Sequence, residues 1–351
     1  MNPKLKETTL KGRTICEGKC FGRAIVSKKE ISFLGSIDPD TGKVIQKDND
    51  LFGNTVAGKI LVFPNAVGST VGSYSLYRMK KNNVAPKALV CKEAETIVAV
   101  GSIISEIPSI DAIDISKIKD GDYLYVDANS GAIEKIPEIK CIIFDLDGTI
   151  VDTVNIYLQA YLEVIKKMGI KTDEKFLLSL LGRPAESIFD LYFKKYKPKN
   201  KVKPDIKVCC DIKRKLFTKA TQGKDISFPF AKETLKKLSE SYKLAMFTGS
   251  SRDQIRLDKR ALDLFDVILA GKESPKDKPN AEAIYLIAKK LKLKPENCIY
   301  IGDLPIDMKT AKNAGIKAIG LENKFADAKS LETAGADIIV NGYLQIQKLF
   351  L

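Results

Sequence analysis

The chain has 351 residues, long enough for two ordinary domains that each bury a core, and it carries a formal charge of +14 with no histidine. The missing imidazole excludes histidine triads, histidine metal sites and histidine pH switching, which leaves carboxylate, hydroxyl and lysine chemistry. Its seven cysteines are odd in number and scattered, without zinc or cluster spacing. Met1-Asn-Pro-Lys-Leu-Lys lacks a signal stretch and no run is long enough for a membrane span, so reduced thiols and a cytoplasmic location are expected.

Residues 1–137 have the texture of a β-rich domain with a few helices. Short apolar runs rich in Val, Ile, Gly and Ser alternate with turns such as Asp38-Pro-Asp-Thr-Gly42 and Asp127-Ala-Asn-Ser-Gly131. The central signal runs from Ala57 to Tyr74: a buried strand, a Gly-Ser-Thr turn, then a helix. Ser69 and Thr70 are expected at that helix's N-terminus, where orphan N–H groups and the helix dipole favour an anion, so a helix cap and an anion site are both open there.

This region resembles the swivelling small subunit of the aconitase X family, the group that includes the archaeal phosphomevalonate dehydratase. The likeness is carried by Val26-Ser27, Ile31-Ser-Phe-Leu-Gly35, Asp38-Pro39 with Thr41-Gly42, Gly58-Lys-Ile-Leu-Val-Phe-Pro64, Gly68-Ser-Thr-Val-Gly-Ser-Tyr74, Ala85-Pro86, and Ile97-Val-Ala-Val-Gly101 leading to Ile107-Pro108. It implies a domain that closes over a separate large subunit bearing an iron–sulfur cluster, with Ser69 as the catalytic proton acceptor of a dehydration and no cluster on this chain. Asn49 stands in the region where the family usually has a histidine. The alternative is a non-catalytic module that docks a partner protein.

From residue 138 the pattern changes to strands that end in acidic turns. Cys141-Ile-Ile-Phe-Asp-Leu-Asp-Gly-Thr149 is an apolar run leading into two aspartates, and ligands in open α/β sheets bind beyond the carboxyl ends of such strands. Two carboxylates crowded at a strand tip repel each other, which a divalent cation with oxygen preference would offset, although an acidic βα turn has the same local pattern. Between about 155 and 227, three segments carry apolar residues at helical spacing: Asn155 to Met168, Ala185 to Tyr196 and Pro204 to Ala220. Gly169, Gly182-Arg-Pro184 and the run from Lys197 to Pro204 break them. Next come Leu244-Ala-Met-Phe-Thr-Gly-Ser250, a strand ending in hydroxyl and small residues, and Lys276-Asp-Lys-Pro279 before the helical pattern Ala281 to Leu291. Last comes Ile299-Tyr-Ile-Gly-Asp-Leu-Pro-Ile-Asp307, which brings Asp303 and Asp307 to a third strand end. A hydroxyl, small residues with free N–H groups, an ammonium and a metal together make a cradle for a phosphoryl group. Thr248 taken alone is more often a helix cap than a phosphate ligand.

These four elements, in this order, resemble the haloacid dehalogenase superfamily, of the phosphoglycolate phosphatase and β-phosphoglucomutase kind, over about residues 139–351. The resemblance implies a Rossmann-like domain with an inserted helical cap, in which Asp145 attacks phosphorus to form an aspartyl phosphate and Asp147 serves as acid and then base. Thr248 and Lys278 would hold the transferring oxygens, with Gly249 and Ser250 beside them. Mg²⁺ would be bound by Asp145, the backbone carbonyl of Asp147, Asp303 and Asp307. Lys278 is preferred to Lys276 because Pro279 fixes the chain after it. Arg183, on the Gly-Arg-Pro turn of the cap, is the candidate for reaching a substrate anion.

The expected molecule is therefore an α/β fusion: a swivelling β/α domain over 1–137 and a phosphatase domain over 138–351, joined so shortly at Pro137-Glu138 that fixed relative placement is expected. The substrate would be a small phosphorylated metabolite, with a phosphomutase as the alternative activity, and the two halves could serve one pathway of phosphorylated isoprenoid precursors. Most of the positive charge falls after residue 138, around Lys194 to Lys207. No nucleic-acid motif accompanies it, and a cap that attracts phosphorylated substrates explains it.

Overall fold

A computed structural model describes residues 9–196 and 204–351. The lysine-rich run before Pro204 and the Met1 to Lys6 segment lie outside the described residues. The chain divides into two compact units, Met1–Glu138 with Leu349–Leu351, and Ile139–Lys348. Among the described residues no helix is long and apolar enough to cross a membrane, and all seven cysteines are free.

The first unit is built on one eight-stranded sheet. Its strands are β1 (Thr9–Lys11), β2 (Arg13–Cys16), β3 (Lys19–Val26), β4 (Ile60–Phe63), β5 (Ala88–Cys91), β6 (Ser109–Asp111), β7 (Tyr123–Asp127) and β8 (Ala132–Lys135), in the order β1-β8-β7-β3-β4-β5-β6-β2. β3 to β6 run parallel, while β7, β8 and β1 extend one edge antiparallel and β2 closes the other. Successive side chains of a strand point to opposite faces, so the run Ile60-Leu-Val-Phe63 feeds two cores. Ile60 and Val62 pack with Ala88, Val90, Ile113 and Ile118. Leu61 and Phe63 pack with Leu76, Met79, Ile97 and Val98 of α1 (Gly72–Lys81) and α2 (Thr96–Ser105). Gly101 lets these helices cross closely: a Cβ there would lie 3.2 Å from the Cα of Ser73.

The second unit has the Rossmann-like sheet that the strand-end motifs imply. It comprises β9 (Cys141–Phe144), β10 (Lys243–Thr248), β11 (Val267–Ala270), β12 (Cys298–Gly302), β13 (Lys317–Leu321) and β14 (Ile338–Val340), all parallel, in the order β11-β10-β9-β12-β13-β14. Succession runs outward from β9 through β10 to β11, then restarts at β12 on the other side of β9. The carboxyl end of β9 is therefore the topological switch point where ligands bind in such sheets.

After β9 the chain leaves the sheet to form a helical cap: α3 (Val154–Lys167), α4 (Glu174–Leu178), α5 (Ala185–Lys195) and α6 (Ile206–Thr221). The short α4 is additional to the three segments with helical spacing, and Asp173 caps it by accepting the Phe176 N–H. A cap core of Leu158, Tyr161, Phe189, Tyr192 and Phe217 also takes in Leu304 and Ile306, the residues that follow β12. The remaining helices, α7 (Ala231–Ser239), α8 (Lys259–Leu262), α9 (Glu282–Lys290), α10 (Pro305–Ala314), α11 (Ala328–Ala334) and α12 (Tyr343–Phe350), complete the second half of the chain.

Candidate active site

Two strand ends and the first turn of a helix converge on one buried acidic cluster. Asp145 follows β9 directly, Asp303 follows β12, and Asp307 projects from the first turn of α10; each offers a carboxylate oxygen, and the three oxygens lie within 4.8 Å of one another. Small residues make room for them. A Cβ on Gly302 would sit 2.5 Å from the Asp307 Cβ, and one on Gly148 would sit 2.2 Å from Asp303 Oδ2. Asp303 accepts from Thr149 Oγ1 at 2.9 Å and Asn323 Nδ2 at 2.9 Å, which fixes its carboxylate plane.

Lys278 enters the cluster, while Lys276 stays outside, paired with Glu282. The Lys278 ammonium is 1% exposed and donates to Asp145 Oδ1 at 2.6 Å and Asp307 Oδ1 at 2.8 Å. Burial works against its charge, but the two carboxylates outweigh burial and hold its pKa well above the ordinary value. Burial pushes the Asp145 carboxyl up to about 7, opposed by Lys278 and reinforced by Asp307 and Asp147. Burial followed by the charges of Asp145 and Asp307 drives Asp303 well above the carboxylate range. Three desolvated carboxylates facing one ammonium leave a negative surplus, and all-oxygen donors around it suit a hard divalent cation such as Mg²⁺.

The Asp147 side chain lies apart from this cluster. Its Oδ1 accepts from Thr153 Oγ1 at 2.7 Å; its Oδ2 accepts from Ser250 Oγ at 2.6 Å and Thr248 Oγ1 at 3.3 Å. Ser250 Oγ in turn meets the Tyr157 hydroxyl of α3 at 2.9 Å, so cap and sheet jointly hold Asp147. Thr248 also accepts the Ser250 N–H at 3.0 Å. Thr153 and Tyr157 were not singled out from sequence; Thr153, six residues after Asp147, was the readable signal, being a hydroxyl at the mouth of the first cap helix.

Asp145, Asp147, Thr248, Gly249, Ser250 and Arg183 line one cavity of about 470 Å³. The cap turn closes onto the sheet at Gly249, where a Cβ would lie 2.7 Å from the Arg183 carbonyl carbon, and Arg183 Nη1 donates to the Lys278 carbonyl at 3.0 Å.

Ser69 lies in the first unit, in the loop after β4, beyond the carboxyl ends of β3 and β4. The expected helix start at Ser69-Thr70 is corrected: α1 begins at Gly72, with Val71 at its N-cap and no side-chain cap bond. A turn precedes it, in which Ser69 O accepts the Gly72 N–H and exposed Ser69 Oγ accepts the Val71 N–H at 3.3 Å. Leu34, Phe52, Val67 and Val71 of this and other loops, and Tyr74 of α1, are also exposed. Asn49 is buried in a turn, its Oδ1 accepting the Leu51 N–H at 2.9 Å and its Nδ2 donating to the Glu30 carbonyl at 3.4 Å.

Residues 142–321 match the family of haloacid dehalogenase-like hydrolases, and residues 9–135 match the aconitase X swivel domain. The first part is 58% identical to the phosphomevalonate dehydratase small subunit of Thermococcus kodakarensis over 125 residues, 36% of this chain and 94% of that one. The second is similar to a haloacid dehalogenase-like hydrolase of Streptococcus pneumoniae, at 27% identity over 61% of this chain and 99% of that chain, with a TM-score of 0.50. CbbY of Rhodobacter sphaeroides, solved in complex with phosphate, shares the fold at 22% identity over 61% of this chain and all of its own (100%), with a TM-score of 0.52.

The close approach at Gly302 is testable without any assumption about chemistry. Gly302→Ala should force Asp307 away and destabilise the second unit by about 1–3 kcal/mol, as overpacking does. A denaturant midpoint equal to wild type would contradict the packing of Asp307 against β12.

Proposed function

Because the chain belongs to the haloacid dehalogenase-like hydrolases over residues 142–321 and to the aconitase X swivel family over 9–135, we propose that it joins a Mg²⁺-dependent phosphatase to the small-subunit domain of a dehydratase. The observation that carries the phosphatase reading is the convergence of Asp145, Asp303, Asp307 and Lys278 at the sheet's switch point, with Asp147 held separately beside the cavity.

In this reading Asp145 attacks the phosphorus of a phosphate monoester while the ester oxygen leaves with a proton from Asp147. The covalent Asp145 phosphate is then hydrolysed by a water that Asp147 deprotonates. Thr153, Thr248 and Ser250 orient the Asp147 carboxylate, and the Gly249 N–H, with the Thr248 hydroxyl once it turns from its long contact with Asp147, receives the transferring oxygens, while the Ser250 N–H holds Thr248 Oγ1 in place. Lys278 offsets the charge that develops on those oxygens. Mg²⁺ would be held by Asp145, Asp303, Asp307 and the Asp147 carbonyl, and it supplies electrostatic neutralisation of the phosphoryl group when bound. Arg183 in the cap turn reaches a substrate anion. Hydrolysis is favoured over phosphomutase chemistry only as the simpler outcome of the same covalent intermediate.

The first unit, in the same proposal, associates with a separate large subunit that carries an iron–sulfur cluster, and Ser69 is the proton acceptor. The identity over nearly the full length of a phosphomevalonate dehydratase small subunit supports this. So does the placement of an exposed hydroxyl among exposed apolar side chains at the carboxyl ends of parallel strands, where a partner surface could close over it.

Asp145→Asn should lower phosphatase turnover by several orders of magnitude while the far-UV circular dichroism spectrum stays that of wild type, because the isosteric amide cannot attack phosphorus. More than about a tenth of wild-type turnover in that variant would overturn the covalent mechanism. EDTA should stop hydrolysis, added Mg²⁺ should restore it, and Ca²⁺ should substitute poorly because its higher, looser coordination misplaces the attacking carboxylate. Full activity in excess chelator would refute the metal assignment to Asp303 and Asp307. Ser69→Ala should abolish the dehydratase activity conferred on an aconitase X-type large subunit without weakening its capture in a pull-down, and phosphatase activity in the same preparation reports folding. Undiminished dehydratase activity would reduce Ser69 to its turn hydrogen bond.

A further inference from the structure

One buried carbonyl of the catalytic turn lies outside the backbone hydrogen-bond pattern of the second unit. Thr149, in the turn between β9 and the cap, is 0% exposed, and among the described residues no backbone N–H donates to its carbonyl. The partner comes from the far end of the sequence: the hydroxyl of buried Tyr343 donates to Thr149 O at 2.7 Å. Tyr343 opens α12 just after β14, the edge strand, and β13 and β12 stand between β14 and β9 in the sheet. A long side chain with its donor at the tip is what such a reach requires.

The same threonine passes the contact on to the acidic cluster. Thr149 Oγ1 donates to Asp303 Oδ1 at 2.9 Å, while Asn323 Nδ2, from the loop after β13, donates to Asp303 Oδ2 at 2.9 Å. Asn323 is fixed within its own loop, its Oδ1 accepting the Phe325 N–H at 2.7 Å and the Ala326 N–H at 3.1 Å. One oxygen of Asp303 is thus aimed by a loop that holds itself, and the other by a turn whose buried carbonyl depends on one phenol. Without that phenol the carbonyl has no partner, a cost the turn can relieve only by moving. Gly148 makes such a movement felt at Asp303, since a Cβ there would lie 2.2 Å from Asp303 Oδ2. Tyr343, Asn323 and Gly148 line a separate cavity of about 340 Å³, which shares no lining residue with the catalytic cavity. Tyr343 therefore acts on the site without touching what binds in it.

We propose that Tyr343 is a positioning residue for the metal centre: through the Thr149 peptide and hydroxyl it sets the Asp303 carboxylate, and with it the affinity of the Asp145, Asp303 and Asp307 cluster for Mg²⁺. This rests on the Mg²⁺-dependent phosphatase reading and extends it, because the edge of the sheet, and not only its central strand ends, then tunes the site. The hydroxyl meets neither the cap nor the catalytic cavity, so it governs metal binding and leaves substrate recognition alone.

Tyr343→Phe keeps the ring and removes the donor. In calorimetric titration of the metal-free protein with Mg²⁺ and no substrate, it should weaken binding about threefold to tenfold, the scale on which outer partners of metal ligands act. Hydrogen exchange of the amides from Gly148 to Val151 in the metal-free protein should accelerate about tenfold, while those of β10 and β13 keep wild-type rates. With p-nitrophenyl phosphate, raised Mg²⁺ should restore kcat, and KM for the ester at saturating Mg²⁺ should stay within about twofold of wild type. Thr149→Val is the second variant and cuts the link to Asp303 directly. In that background Tyr343→Phe should change Mg²⁺ affinity by less than about twofold, because the two substitutions interrupt one route. Unchanged Mg²⁺ affinity in Tyr343→Phe, full additivity of the two substitutions, or faster exchange spread evenly over the second unit would each overturn the proposal and leave the phosphatase reading standing. A wild-type protein that binds no Mg²⁺ would instead refute the metal reading, and the positioning role with it.

Discussion

The second unit is organised around one electrostatic constraint: three carboxylates buried beyond two adjacent strand ends and at the start of α10, with a single ammonium among them. Taking such charges out of water costs several kcal/mol per ion, and Lys278 can neutralise only part of the set. The surrounding structure bears that cost. A fully parallel sheet fixes the ends of β9 and β12 in register, Gly148 and Gly302 leave room where any side chain would collide, and Thr149 and Asn323 hold Asp303 in place. An arrangement so over-determined is what preorganised stabilisation of a transferring phosphoryl group, as proposed for this site, would require.

Asp147 is handled in the opposite way. It is half-buried, outside the cluster, and held by three hydroxyls, one of which is tied to Tyr157 in the cap. A group that must give up and regain a proton benefits from hydroxyl partners, which can donate or accept, more than from a fixed cation. Because Ser250 links Asp147 to α3, the position of the cap and the orientation of the acid–base group are mechanically connected. The close approach of the cap turn at Gly249 covers that side of the cavity and, in the proposed mechanism, would also set the geometry of proton transfer.

The first unit uses parallel strand ends for a different purpose. Its central strands are buried on both faces, yet the loops after β3 and β4 present an exposed hydroxyl among exposed apolar side chains. Ser69 itself is exposed there, so the chemistry proposed for it would require a second surface to exclude water, in keeping with the small-subunit relatives of this domain.

The sequence by itself determined the two units' fold classes and the acidic strand ends, because both are local: an apolar run followed by Asp-x-Asp-Gly-Thr or Gly-Asp specifies strand, turn and exposed carboxylate within a few residues. The choice of Lys278 over Lys276 was also readable, through Pro279. What only the tertiary structure decided involves contacts across long separations. Lys213 sits in Lys-Arg-Lys, a run that reads as the solvated face of an amphipathic helix, and only the return of α6 over α3 buries it against Tyr157. Gln254 and Thr153 are ordinary polar residues until the cap and the sheet bring them beside Lys213 and Asp147. The start of α1 was misplaced for a related reason: a Gly-Ser-Thr turn and a capped helix have the same residue preferences, and the backbone hydrogen bond from Gly72 to Ser69 decides between them. Local pattern fixes which groups stand at a strand end; burial, and with it the charge a group is left to satisfy, is set by the packing of distant elements.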